Sequence, residues 1–153
     1  MAAKLTVEPM TEADVGAVVR IEAASNPSPW SEGSFRGELS NRQAHYLVAK
    51  LSGKVVAYCG CWDVIDEAHI TNVAVDPEHR GEGIGRRLMV ETLRAARDRG
   101  ITCSTLEVRA SNAIAIKLYE DLGYVRSAVR TRYYSPGSED AVVMWLYGLE
   151  SFT

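Results

Sequence analysis

Apolar positions along this 153-residue chain switch between a period of two and a period near 3.6, and the switches mark its elements. Residues 5–9 read as a short strand closed by Pro9, and Thr11 is placed to cap a helix in which Val15, Val18, Val19 and Ala23 recur at helical spacing. Two prolines, Pro27 and Pro29, hold the loop that follows, and Ser31 opens a second short helix with Phe35 and Leu39 on one face. Residues 45–50 and 55–64 are β-rich runs joined by Leu51-Ser52-Gly53-Lys54, a connection short enough to force an antiparallel hairpin. Asp66 and Glu67 mark another reversal before a run over 68–75, so three strands in a meander are expected. From 83 to 99 the spacing of Ile84, Leu88, Met89, Thr92, Leu93 and Ala96 predicts an amphipathic helix stopped by Gly100. A strand at 105–108, a helix at 113–122 capped by Ser111-Asn112 and halted by Gly123, and two strands at 124–134 and 141–149 around a turn at 135–138 complete the chain. The economical fold is a mixed α/β (α+β) sheet, largely antiparallel, with helices on its faces and one strand-helix-strand crossover.

That length suits a single domain over residues 1–153, long enough to bury roughly 70 per cent of its unfolded surface. A hydrophobic fraction of 46% and a charged fraction of 24% are those of an ordinary globular protein. No apolar leader follows Met1 and no run is long enough to span a bilayer, so the cytoplasm is the expected location and no membrane partner is expected. A net charge of −3 argues against a nucleic-acid partner, and leaves room for a basic peptide to dock locally. Cys59 and Cys61 form C-x-C, which on a strand puts both sulfurs on one face, as small buried hydrophobes. His45, His69 and His79 have no metal-ligand spacing, so no metal is expected.

The informative stretch runs from Asn72 to Leu88, where a strand ending at Val75 enters Asp76-Pro77, a glycine-rich bend, and then a helix. Gly81, Gly83 and Gly85 allow backbone N–H groups to approach a ligand, and the helix start adds unsatisfied N–H groups and a positive dipole end. Arg80, Arg86 and Arg87 add charge suited to a pyrophosphate. The spacing is not that of a dinucleotide fingerprint, which would need glycine where Arg86 stands, and no Walker pattern exists in the chain.

Arg80-Gly81-Glu82-Gly83-Ile84-Gly85 does fit [QR]-x-x-G-x-[GA], and with it the chain resembles the GNAT N-acetyltransferase family. Pro29-Trp30-Ser31-Glu32, Asn72 to Pro77, Leu106-Glu107-Val108-Arg109-Ala110-Ser111-Asn112, Leu118-Tyr119, Leu122-Gly123-Tyr124 and Tyr133-Tyr134 extend the likeness over about residues 5–149, closest to the branch that acetylates N-terminal amines of ribosomal proteins. The resemblance implies acetyl-CoA as cosubstrate, held by Val73, Ala74 and Val75, by Arg80, Gly81, Glu82, Gly83, Ile84, Gly85 and Arg86, and by Asn112. It implies Glu107 as proton acceptor, Tyr119 as general acid, and Trp30, Tyr133 and Tyr134 as the grip on a peptide. The expected acceptor is a protein or peptide N-terminus, above all the N-terminal alanine of a small-subunit ribosomal protein, and the expected state is a monomer. The alternatives are a small-molecule or lysine acetyltransferase on the same fold, or a CoA-binding module without turnover.

The residue types suit that chemistry. An α-amine has a pKa near 8 and a lysine amine near 10.4, a gap of roughly 2.5 units or about 3.4 kcal/mol of deprotonation cost, so one carboxylate acting directly or through water can serve an α-amine. A phenol such as that of Tyr119, with an ordinary pKa near 10, is protonated at neutral pH and can donate to a departing thiolate. Plainer roles stand beside these: a strand glutamate for Glu107, a core aromatic for Tyr119, a helix cap for Asn112 and a hydrophobic plug for Trp30.

Overall fold

The structure is a computed structural model that describes residues 4–134 and 139–153; the turn expected at 135–138 lies outside the described residues. Seven strands form one mostly antiparallel sheet in the order β1-β2-β3-β4-β5-β7-β6, with β1 at Leu5–Pro9, β2 at Ala44–Leu51, β3 at Lys54–Val64, β4 at Glu67–Val75, β5 at Cys103–Arg109, β6 at Val125–Tyr134 and β7 at Glu139–Tyr147. Among the described residues four α-helices accompany it, α1 at Val15–Ser25, α2 at Glu32–Glu38, α3 at Ile84–Asp98 and α4 at Ala113–Leu122. None of the described helices is long and apolar enough to cross a membrane. By compactness the chain falls into two units, one made of residues up to Trp62 with Thr71–Thr92, the other of Asp63–Ile70 with Leu93–Thr153.

In the first unit, β1 pairs antiparallel with β2, and β2 with β3 through a two-residue turn whose Ser52 and Gly53 both have positive φ (50° and 85°), the twist-matching form for a tight hairpin. Thr11 does open the next element, which is a single 3-10 turn over Glu12–Asp14: the Asp14 carboxylate accepts from the Thr11 N–H at 2.9 Å, and α1 proper begins at Val15. Ser31 caps α2 by accepting from Ser34 N at 3.1 Å. Val15, Val18 and Ile21 of α1, Phe35 of α2, and Tyr46, Val48 and Tyr58 of the strands make one core, with Phe35 edge-on to both tyrosine rings.

Cys59 and Cys61 are fully buried, as the C-x-C spacing requires, and Cys59 Sγ lies 3.9 Å from Met89 Sδ. Between them, Gly60 faces the other way and stands opposite Tyr46 in the register. The Tyr46 ring lies across it: a Cβ at residue 60 would come within 2.2 Å of the ring, and the hydroxyl beyond is bonded at 3.0 Å to both Thr71 Oγ1 and Asn72 Oδ1. Gly60→Ala must therefore push a buried, tethered ring out of place. We expect it to lower stability by about 1–3 kcal/mol, read from the midpoint of urea unfolding, and an unchanged midpoint would show that the ring moves freely.

In the second unit, β4 pairs in parallel with β5 only over Glu67–His69 and Cys103–Thr105, so the ladder ends while both strands continue. β7 is antiparallel to both β5 and β6. α4 stops at Gly123, whose φ of 110° no other residue adopts cheaply, and the chain turns into buried Tyr124. The last strand ends at Tyr147, two residues short of the sequence expectation, because Gly148 is left-handed and starts a 3-10 turn at Leu149–Ser151. Arg99 forms a two-pronged pair with Asp63 at 2.8 and 2.9 Å, and Arg94 donates to the Thr153 carbonyl at 2.8 Å.

Candidate active site

The glycine bend has the local geometry its sequence asks for. Asp76 caps a 3-10 turn over Pro77–His79 by accepting from Glu78 N at 3.0 Å, and its own N–H donates to Val56 O at 2.8 Å. Gly81 and Gly83 both take positive φ, 78° and 80°, with open space where a Cβ would be. The first helical bond of α3 runs from Arg87 N to Gly83 O at 3.1 Å, so the N–H groups of Ile84, Gly85 and Arg86 belong to the first turn, which has no intrahelical acceptors. Ile84 is buried and anchors the helix start, while residues 80–83 and Arg86 are exposed. Arg80 Nε donates to Val75 O at 3.3 Å and Nη2 to Ser25 Oγ at 3.2 Å, so it ties the end of β4 to the end of α1. Val73 and Val75 are half-buried and Ala74 is buried in the core.

Trp30 is half-buried against Phe35, with ring centroids 5.5 Å apart, and tilted against Trp62 at 6.3 Å. Its backbone is held by Glu22, a 3% exposed carboxyl on α1 that accepts from Trp30 N at 3.0 Å, from Asn26 Nδ2 at 3.3 Å and from the Tyr58 hydroxyl. Burial first, then the bond to Glu22, pushes the Tyr58 phenol far above its usual range, so it is the donor in that pair.

In the second unit the strands bring Glu107, Tyr133 and Tyr134 together, along with residues the sequence reading did not single out. Glu107, on β5 opposite Val143, keeps its side chain 28% exposed, with Arg130 Nη2 at 3.4 Å from Oε1. Tyr133 is hydrogen-bonded to Glu107, which together with burial raises its phenol, and the Arg130 guanidinium lies over its ring at 5.4 Å. Tyr134 packs edge-on to Tyr133 at 5.1 Å and carries the Arg109 guanidinium on its face at 4.4 Å. Burial, helped by the charge of Glu107, pushes the Tyr134 phenol up to about 12. Arg109 in turn meets Glu139 Oε1 at 3.5 Å, and Glu139 Oε2 accepts from Ser111 N at 2.7 Å; the Ser111 bonds, with Arg109 behind them, hold the Glu139 carboxyl below its usual range. The tyrosine pair sits at a break in register between Arg130 and Tyr134, where Arg132 takes a φ of 54° and its N–H is held by Asp140 Oδ1 at 3.0 Å. A bulge of this kind re-aims side chains.

Tyr119 is 8% exposed on α4 with its ring 5.9 Å from that of Tyr124, whose hydroxyl is 2.7 Å from Ser104 Oγ. Asn112 is an exposed N-cap whose Oδ1 accepts from Ala115 N at 3.2 Å. Among the described residues no group of three or more His, Cys, Asp or Glu could hold a metal ion. The signal for the missed residues was weak but present: Glu22 stands one helical turn after Val18 on the apolar face of α1, and Arg130 lies three residues before the double tyrosine.

The model of the acetyltransferase (GNAT) family matches residues 15–124. The [ribosomal protein bS18]-alanine N-acetyltransferase of Escherichia coli K12 is 37% identical over 143 residues, covering 92% of this chain and 96% of that protein. A Bacillus subtilis protein to which the same activity is provisionally assigned is 40% identical over 147 residues, 95% and 97% of the two chains. The crystal structure of the ribosomal-protein-S18-alanine N-acetyltransferase from Escherichia coli superposes with a TM-score of 0.88 at 35% identity, over 95% of this chain and 94% of that one. A family match over most of the chain, carried by relatives of nearly the same length, makes this protein a member of the GNAT acetyltransferase family.

Proposed function

We propose that the protein transfers acetyl from acetyl-CoA directly to a peptide α-amine, and that its acceptor is the N-terminal alanine of ribosomal protein bS18. The observation that carries the cofactor half is the exposed bend of two left-handed glycines opening α3, which offers a pyrophosphate unshielded N–H groups and a positive helix end. Gly81 to Arg86 form that cradle and Arg80 braces it. Backbone groups of Val73, Ala74 and Val75, beyond the point where β4 ceases to pair with β5, bond the pantetheine, and Asn112 adds its amide. Residues 1–153 form a single acetyltransferase domain, a reading supported by the family match over residues 15–124.

For the chemistry, Glu107 takes the proton of the attacking amine, Tyr119 gives one to the leaving thiolate, and Trp30, Tyr133 and Tyr134 hold the first residues of the peptide. Direct transfer fits the cysteines. Burial pushes the Cys59 thiol up to about 12, and burial with Glu67 and Asp66 raises that of Cys103, which makes both poor thiolate nucleophiles. The relatives' acceptor supplies the other half of the proposal. The test is intact-mass analysis of reactions with acetyl-CoA and the bS18 N-terminal peptide, free or blocked at its α-amine, beside a peptide whose only amine is an internal lysine. We expect one acetyl group on the free peptide alone. Equal transfer to the lysine peptide, or none to any peptide, overturns the reading.

A further inference from the structure

We infer that Glu38, Trp62 and Trp30 form a subsite for a basic side chain of the acceptor peptide, close behind its N-terminus. The inference deepens the acceptor reading above and rests on it. Glu38 ends α2, is half-buried, and accepts a hydrogen bond from the indole N–H of Trp62 on β3. Its charge is felt by Tyr46, whose phenol is raised by burial first and by Glu38 as well. Several other acids of the first unit are already matched: Glu12 and Glu32 meet Arg36 at 2.8 and 3.6 Å, while Glu8 and Asp14 meet Lys50 at 2.8 and 3.2 Å. Glu38 has no such cation among the ion pairs of the described residues. Asp63 and Glu67 are likewise bound, to Arg99 and His69.

The aromatic partners are placed for the same guest. Trp62 is 37% exposed, and its ring is tilted by 42° to that of Trp30. A guanidinium is planar and weakly hydrated: it stacks on an indole face while its N–H fork reaches a carboxylate. A carboxylate has about four lone-pair sites, so the Trp62 N–H leaves room for that fork. A bond that merely pinned α2 to β3 would need neither the negative charge nor a partly exposed indole.

The test uses alanine-initiated peptides in which one arginine, moved a position at a time behind the N-terminus, is compared with citrulline, its neutral isostere. Binding is read from tryptophan fluorescence and turnover from peptide mass. For the best-placed arginine, wild type should prefer the charged peptide by about tenfold in Kd and in kcat/KM. Glu38→Gln, which keeps an acceptor for Trp62, should bring that ratio close to one, and Trp62→Phe, which keeps a ring and loses the N–H, should lower it part of the way. A wild-type ratio near one at every position, or a ratio that survives Glu38→Gln, overturns the subsite. If the arginine peptide binds with the expected preference and is never acetylated, the subsite stands and the transferase reading falls.

Discussion

Glu107→Gln is expected to lower kcat by about a hundred- to ten-thousand-fold while leaving the affinity for acetyl-CoA and the unfolding midpoint close to wild type. The substitution changes little but the chemistry. Gln has the volume of Glu and still offers Tyr133 an acceptor, and the one ion pair it breaks, with Arg130 at 3.4 Å, joins side chains 56% and 28% exposed, where water screens the charge. What Gln cannot do is take a proton. Residual turnover should then follow the fraction of acceptor already neutral, climbing with pH until the α-amine has titrated near about 8, whereas wild type should lose that steep dependence because Glu107 collects the proton from the bound ammonium. Wild-type kcat in Glu107→Gln would return this residue to the role of a strand glutamate held between Arg130 and Tyr133.

The sequence was most legible where the backbone itself is constrained. Two adjacent turn residues, Ser52 and Gly53, allow one kind of hairpin, and the structure has it; Asn112 and Gly123 bracket α4 at the residues where it starts and stops. Gly81 and Gly83 announced a bend in which only glycine is comfortable. Long-range partnerships were not legible. Arg80, Arg94, Arg97 and Arg99 look alike in sequence, yet Arg80 bonds residues 5 and 55 positions away, Arg97 donates to the Phe152 carbonyl, and Arg99 pairs across 36 positions with Asp63. Nothing in local composition says which cation meets which acid once the strands have paired. The Arg130-Glu107-Tyr133 and Arg109-Tyr134-Glu139 arrangements were hidden for the same reason, since they exist only after β7 has inserted between β5 and β6. Periodicity found the strands and left the insertion order open.

Glu22→Leu should cost about 3 kcal/mol, a fall in Tm of roughly 6–12 °C for a chain of this size, although leucine is the better residue for an apolar helix face. The carboxyl of Glu22 serves three donors at once, and each has a different way to escape. Asn26 can turn its amide to water. Trp30 N–H can be hydrated only if the loop from Asn26 to Trp30 opens. The Tyr58 hydroxyl is fully buried between α1 and β3, and without Glu22 it keeps its proton with no acceptor described for it. An unmade buried hydrogen bond costs about 1–3 kcal/mol, and two such losses outweigh the gain from burying two extra methyl groups. The same change reaches function through Trp30, since loosening its backbone also frees the indole that packs on Phe35 and Trp62. Peptide KM should rise several-fold with kcat less affected. Glu22→Gln retains an acceptor for either Tyr58 or Trp30, so it should recover more than half of the stability and part of the KM. Equal losses for Leu and Gln would mean that charge, rather than hydrogen bonding, is what α1 supplies at this position.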